Sequence, residues 1–145
     1  MKNGVFLLAL LLLSGCTALE LPSPGNTVGS EAETLSGIDC NRMIGRWAGE
    51  KVWSADRSSR WLVTHQANGS MQIDFTTTYQ GQERQEHYEG DWQCQDGMLK
   101  TRTSGSHGKV RNHTYRLLEL TERLMHYQSV THEGLGPKFV SERVR

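Results

Sequence analysis

Three cysteines, six histidines and four tryptophans are the residues with most chemistry to offer in this 145-residue chain. The histidines are His65, His87, His107, His113, His126 and His132. None forms a His-x-x-x-His pair or a compact Cys/His spacing, the patterns that put two ligands on one metal. Surface or hydrogen-bonded histidines are therefore expected, with no metal. Gly105-Ser106-His107-Gly108-Lys109 has glycines and a lysine, but neither the Walker spacing nor a following helix. Glu83, Glu86 and Glu89 stand three apart, which puts neighbours on opposite faces of a strand and makes them solvent charges rather than a carboxylate pair. No nucleophile elbow is present. The sequence thus points away from an enzyme and calls for no cofactor. Trp47, Trp53, Trp61 and Trp92, with Phe75, Tyr79, Tyr88, Tyr115 and Tyr127, form a rich aromatic set for this length. Such a set either packs a dense core or lines a cavity, and both readings stay open.

The first residues decide where the chain goes. Met1 and Lys2 precede an apolar run from Val5 to Leu13, the pattern of a secretory signal. The run is short of the roughly 20 apolar residues that span a bilayer. Leu13-Ser14-Gly15-Cys16 at its end resembles the lipobox of bacterial lipoproteins. The resemblance implies cleavage before Cys16, diacylglycerol on its thiol and an acyl chain on the new amino group. Several chains together anchor a protein that one chain holds only reversibly, so the expected first partner is a bacterial membrane. Thr17 follows Cys16 where Asp would retain the protein at the inner membrane. In Gram-negative lipoproteins this resembles a signal for the outer membrane, with the domain facing the periplasm. With Cys16 lipidated, Cys40 and Cys94 remain as an even pair in an oxidising compartment and are expected to form a disulfide; two buried free thiols are the alternative.

Residues 1–15 are read as the signal and 16–39 as a lipidated tether, broken by Pro22, Pro24, Gly25, Gly29 and Gly37. Removing the signal takes away Lys2 and leaves 15 basic against 16 acidic residues, a formal charge of −1. A nearly neutral domain supplies no field for nucleic acid, so no nucleic-acid partner is expected.

Residues 40–145 make one domain. Met71, Ile73, Phe75, Thr77 and Tyr79 alternate with polar residues, as do Tyr88, Gly90, Trp92 and Cys94. That period of two is the mark of half-buried strands. Asn68-Gly69, Asp96-Gly97, 105–108, Thr121-Glu122 and 134–137 supply turns. Eight strands are expected, at about 43–53, 59–67, 70–80, 83–94, 97–104, 110–120, 122–132 and 138–144. Sequential strands on short turns favour an all-β, eight-stranded antiparallel up-and-down barrel, whose closure removes exposed edges. A two-sheet sandwich is the structural rival.

Ile44-Gly45-Arg46-Trp47 opens the first strand, and Arg143 and Arg145 lie in or beside the last. Gly-x-Trp at the start of a meander barrel resembles the lipocalins and the wider calycin group. The resemblance implies that Trp47 closes one barrel end and that an arginine, Arg143 first and Arg145 second, packs across it. It also implies one small apolar ligand near the opposite end; the aromatic content and the alternating apolar face, taken as inward, make Phe75, Tyr79, Tyr88, Trp92 and Tyr115 the residues to meet it. The domain is shorter than typical lipocalins and no helix pattern follows the last strand. The second functional reading is therefore a non-enzymatic envelope lipoprotein with a solid core, acting as an assembly factor, an inhibitor or a partner for another envelope protein.

Overall fold

The period-two segments, separated by short turns, become eight antiparallel strands in the computed structural model, which describes residues 37–145. The readings of the signal, of Cys16 and of the tether up to residue 36 lie outside the described residues. A 3₁₀ turn, Cys40–Met43, leads into β1 (Gly45–Ser54), β2 (Arg57–His65), β3 (Ser70–Tyr79) and β4 (Gln82–Gln95). β5 (Met98–Gly105), β6 (Val110–Leu120), β7 (Leu124–Thr131) and β8 (Gly134–Val144) follow. Each strand pairs with the next, and β8 pairs with β1, which closes an up-and-down barrel of lipocalin-type topology. The closing ladder joins Arg46–Gly49 to Ser141–Val144 and rules out two open sheets.

Local chemistry sets the turns. Asp96 and Gly97 both take positive φ, 51° and 71°, the geometry whose twist matches a two-residue hairpin. Gln80 and Gly81 do the same at 49° and 76°. The last strand starts earlier than its sequence suggests, because Gly134–Pro137 reads as a turn and is instead part of β8. The β7–β8 register shifts between Gln128 and Val130, and the β1 ladder on the other side of β8 reaches only Ser141. Pro137 lies in this irregular stretch, where its missing N–H costs no regular ladder bond.

One barrel end is filled. Met43, Trp47 and Leu117 are fully buried, and Trp61, Leu99, Leu120, Met125 and Tyr127 complete the core. Ile38 packs against the same cluster, so the chain joins the domain slightly before Cys40. The Cys40–Cys94 disulfide, with Cα atoms 5.7 Å apart, ties the 3₁₀ turn to β4. The Trp47 indole N–H donates to the Met43 carbonyl at 2.8 Å. Arg143 sits directly across from Trp47 in the β1–β8 register and places its guanidinium 4.4 Å from the ring centre. It also donates to the carbonyls of Glu122 (2.7 Å), Ile44 (2.8 Å) and Arg42. Gly45 has φ +129°, and a Cβ there would strike the Arg143 guanidinium; this is why glycine opens the Gly-x-Trp run. Arg145, two residues beyond the register match, is exposed. The eight strand pairings, the core cluster and the disulfide all join residues within 37–145, which make a closed barrel with a core of its own.

Candidate functional site

Above the filled end the barrel encloses a cavity of about 240 Å³. Its two sides differ because neighbouring strands carry different inward residues. Trp53 of β1, Trp61 and Val63 of β2, Ile73 and Phe75 of β3 and Phe139 of β8 make an aromatic and aliphatic wall. Thr101 and Thr103 of β5 and Arg111, His113 and Tyr115 of β6 make a wall with polar groups, which Tyr88 of β4 continues.

Aromatic contacts hold the apolar wall in place. Phe139 packs edge-on against Trp61, with centroids 5.7 Å apart, and stacks on Tyr127 at 5.4 Å. Trp61 stacks with Phe75 at 6.4 Å. Gly49 lets Trp61 lie this deep, since a Cβ at that position would stand 2.6 Å from the indole. The polar edges of this apolar wall meet at one hydroxyl. Trp61 donates its N–H to Ser141 Oγ at 2.9 Å, and the Tyr127 hydroxyl lies 3.4 Å from the same atom. Burial pushes the Tyr127 phenol up and the Tyr115 phenol up to about 12, so both stay neutral hydrogen-bonding groups at physiological pH.

The sequence-selected residues separate clearly. Phe75, Tyr88 and Tyr115 line the cavity together. Tyr79 shares their alternation, but β3 outruns the cavity and leaves this ring 53% exposed at the β3–β4 turn. Trp92 lies below the cavity instead of on its wall. Its backbone N–H bonds to the Gly69 carbonyl, its indole N–H reaches the Gln66 carbonyl at 3.1 Å, and its ring meets His65 edge-on at 5.1 Å. Phe139, Ser141, His65 and Trp61 belong to the site without having been selected for it. Period-two extension from Trp61 through Val63 would have placed His65 inward. Phe139 and Ser141 stand in period-two register with Arg143 in the expected strand 138–144, the signal that could have turned them inward.

His65 is the unusual group of the cavity lining. It is 3% exposed, and neither ring nitrogen has a hydrogen-bond partner among the described residues. Burial lowers its pKa from the usual 6.5 to about 4. The unfolded chain therefore binds this proton more readily, and stability falls as pH drops from about 6.5 towards 4. Between pH 7 and 4.5 the wild-type domain should lose about 2–3 kcal/mol more unfolding free energy than His65→Leu, measured in urea. Equal acid sensitivity of the two proteins would refute this.

The end of the barrel opposite Trp47 is open in character. The cavity reaches it through Trp53, Arg111 and His113, all exposed side chains. Arg111 lies over the Tyr88 ring, 4.9 Å from its centre. No three His, Cys, Asp or Glu side chains gather as a metal-holding group among the described residues.

A closed eight-stranded meander, plugged at one end and hollow towards the other, has lipocalin-type topology. In comparisons of its sequence the chain matches no protein-family profile and no curated protein.

Proposed function

We propose that this protein is a non-catalytic binding lipoprotein of the bacterial envelope. In this reading Cys16 carries lipid, the anchor sits in the outer membrane with the domain facing the periplasm, and the barrel takes up one small, mostly apolar molecule. The observation that carries the binding step is the cavity of about 240 Å³ with its aromatic and aliphatic wall. That volume lies just below the roughly 300–1,000 Å³ of ordinary small-molecule pockets, which favours a compact ligand over a long lipid. An internal cavity also favours carriage over the alternative of a solid-cored partner for another envelope protein. The lipoprotein step rests on Leu13-Ser14-Gly15-Cys16 following an apolar run.

Two preparations test the two steps. Protein extracted from membranes should show an intact mass above that of the peptide starting at Cys16, by the mass of its acyl groups. The 37–145 domain should then bind the uncharged probe N-phenyl-1-naphthylamine saturably, seen as probe fluorescence and a change in tryptophan emission. Phe75→Asp or Tyr115→Asp should weaken binding at least tenfold while circular dichroism still reports a folded barrel. Absence of saturable binding, or binding indifferent to both substitutions, defeats the carriage reading. An unmodified amino terminus at Cys16 defeats the anchor.

A further inference from the structure

Large apolar side chains exposed to solvent are not scattered over this barrel. Among the described residues seven are exposed: Ile44, Val52, Trp53, Tyr79, Val110, Leu135 and Val140. Five of them, Val52, Trp53, Tyr79, Val110 and Leu135, lie within three residues of the four hairpins at the end opposite Trp47. Each hairpin of that end contributes at least one. Leu135 is 56% exposed, Val52 68% and Tyr79 53%, exposures that a monomer surrounded only by water gains nothing from.

Charge is segregated in the same way. The hairpin segments 51–57, 79–84, 105–111 and 131–138 carry six cations, Lys51, Arg57, Arg84, Lys109, Arg111 and Lys138. Against them stand three anions, Asp56, Glu83 and Glu133, a net charge of +3. Extending the count to Arg60 and Glu86, which pair with Glu83 and Arg84, leaves it unchanged. The near-neutral charge of the chain as a whole therefore conceals a positive end.

We infer that the open end of the barrel docks on the surface of an anionic lipid bilayer, with the apolar hairpin tips among the headgroups and the basic side chains on the lipid charges. Apolar area and electrostatic attraction add in interfacial binding, and each Lys or Arg near an anionic surface strengthens it about fivefold. Tyr79 and Trp53 are the side-chain types that settle at headgroup depth, with an apolar ring and a polar edge. The Trp53 N–H is bonded to Ser59 Oγ at 3.1 Å, which holds that ring at the rim. The contact would bring the cavity mouth to the membrane. It goes beyond the binding reading and does not depend on a ligand being present or on lipid at Cys16.

The test is flotation of the 37–145 domain, which lacks Cys16, with vesicles of phosphatidylcholine alone or with 30% phosphatidylglycerol. Partitioning should be at least tenfold stronger on the anionic vesicles and should fall as salt is raised from 50 to 300 mM, as charge attraction requires. Tyr79→Glu and Leu135→Glu should each lower it about tenfold, whereas Val140→Glu, an exposed apolar residue of the barrel wall, should leave it within twofold. Tyr79 and Leu135 are outside the cavity lining, so probe binding in these variants stays intact and reports the fold. Three results overturn the inference: no preference for anionic vesicles, an equal loss in Val140→Glu, or concentration-dependent self-association that the rim variants abolish without any vesicle binding. The last would make the rim a contact between copies of this chain.

Discussion

Trp47→Ala should lower the unfolding free energy of the barrel by about 3–5 kcal/mol, the cost of truncating a large buried ring. Three terms act together. The ring is fully buried, so its removal leaves a void between the 3₁₀ turn and the barrel end. The Met43 carbonyl loses the indole N–H it accepts at 2.8 Å. The Arg143 guanidinium, 4.4 Å above the ring, loses its cation–π partner while its bonds to three carbonyls still hold it in place. Trp47→Phe separates these terms in part, because it keeps an aromatic ring in the packing while removing the N–H and the rest of the second ring. It should cost about 1–2 kcal/mol, the value of an unpaired buried acceptor with a little lost volume. Urea unfolding of the three proteins gives the comparison. A loss under 1 kcal/mol in Trp47→Ala would mean that the closed end does not depend on this ring.

Removing the disulfide should cost nearly as much for a different reason. Cys40 and Cys94 are 54 residues apart in sequence, and a crosslink over such a loop stabilises by about 4 kcal/mol in the chain-entropy account. The effect acts on the unfolded chain, which the crosslink deprives of freedom. Cys40→Ser with Cys94→Ser should therefore lower stability strongly yet leave probe affinity within about twofold, since neither cysteine lines the cavity. Chemical denaturation and probe titration of the same sample separate the two. A large loss of affinity in folded protein would show that the bridge shapes the cavity as well.

Much of the fold was legible because a strand with one face in a core writes its period into the sequence. The alternation from Met71 to Tyr79 and from Tyr88 to Cys94, bounded by the breakers between them, gave strands at 70–80 and 83–94 that lie within a residue of β3 and β4 at each end. Asp96-Gly97 announced its hairpin through side chains that tolerate positive φ. The 134–137 segment misled for the opposite reason: glycine and proline mark turns, but a register irregularity beyond the β1 ladder accommodates them equally well inside a strand. Alternation also overreached at Tyr79. It reports which face a side chain takes and nothing about how far along the barrel the cavity extends.

By itself the sequence determined the strand count, the alternation of segments such as 71–79, and Cys40 and Cys94 as an even pair beyond Cys16. These follow from local periodicity, turn chemistry and residue identity, which a linear chain carries explicitly; Trp47 at the closed end was instead what the likeness of Gly45-Arg46-Trp47 to the lipocalins implied. The tertiary structure alone decided closure over a sandwich, because that depends on β8 finding β1 nearly a hundred residues away. It chose Arg143 over Arg145, through a register that puts one directly across from Trp47. It made the interior hollow, since cavity volume is the difference between barrel size and the summed side chains of all eight strands. It also set His65 in that interior with no hydrogen-bond partner among the described residues and gathered four apolar hairpin tips at one rim. Such properties belong to residues distant in the chain and close in space, and no single stretch of sequence records them.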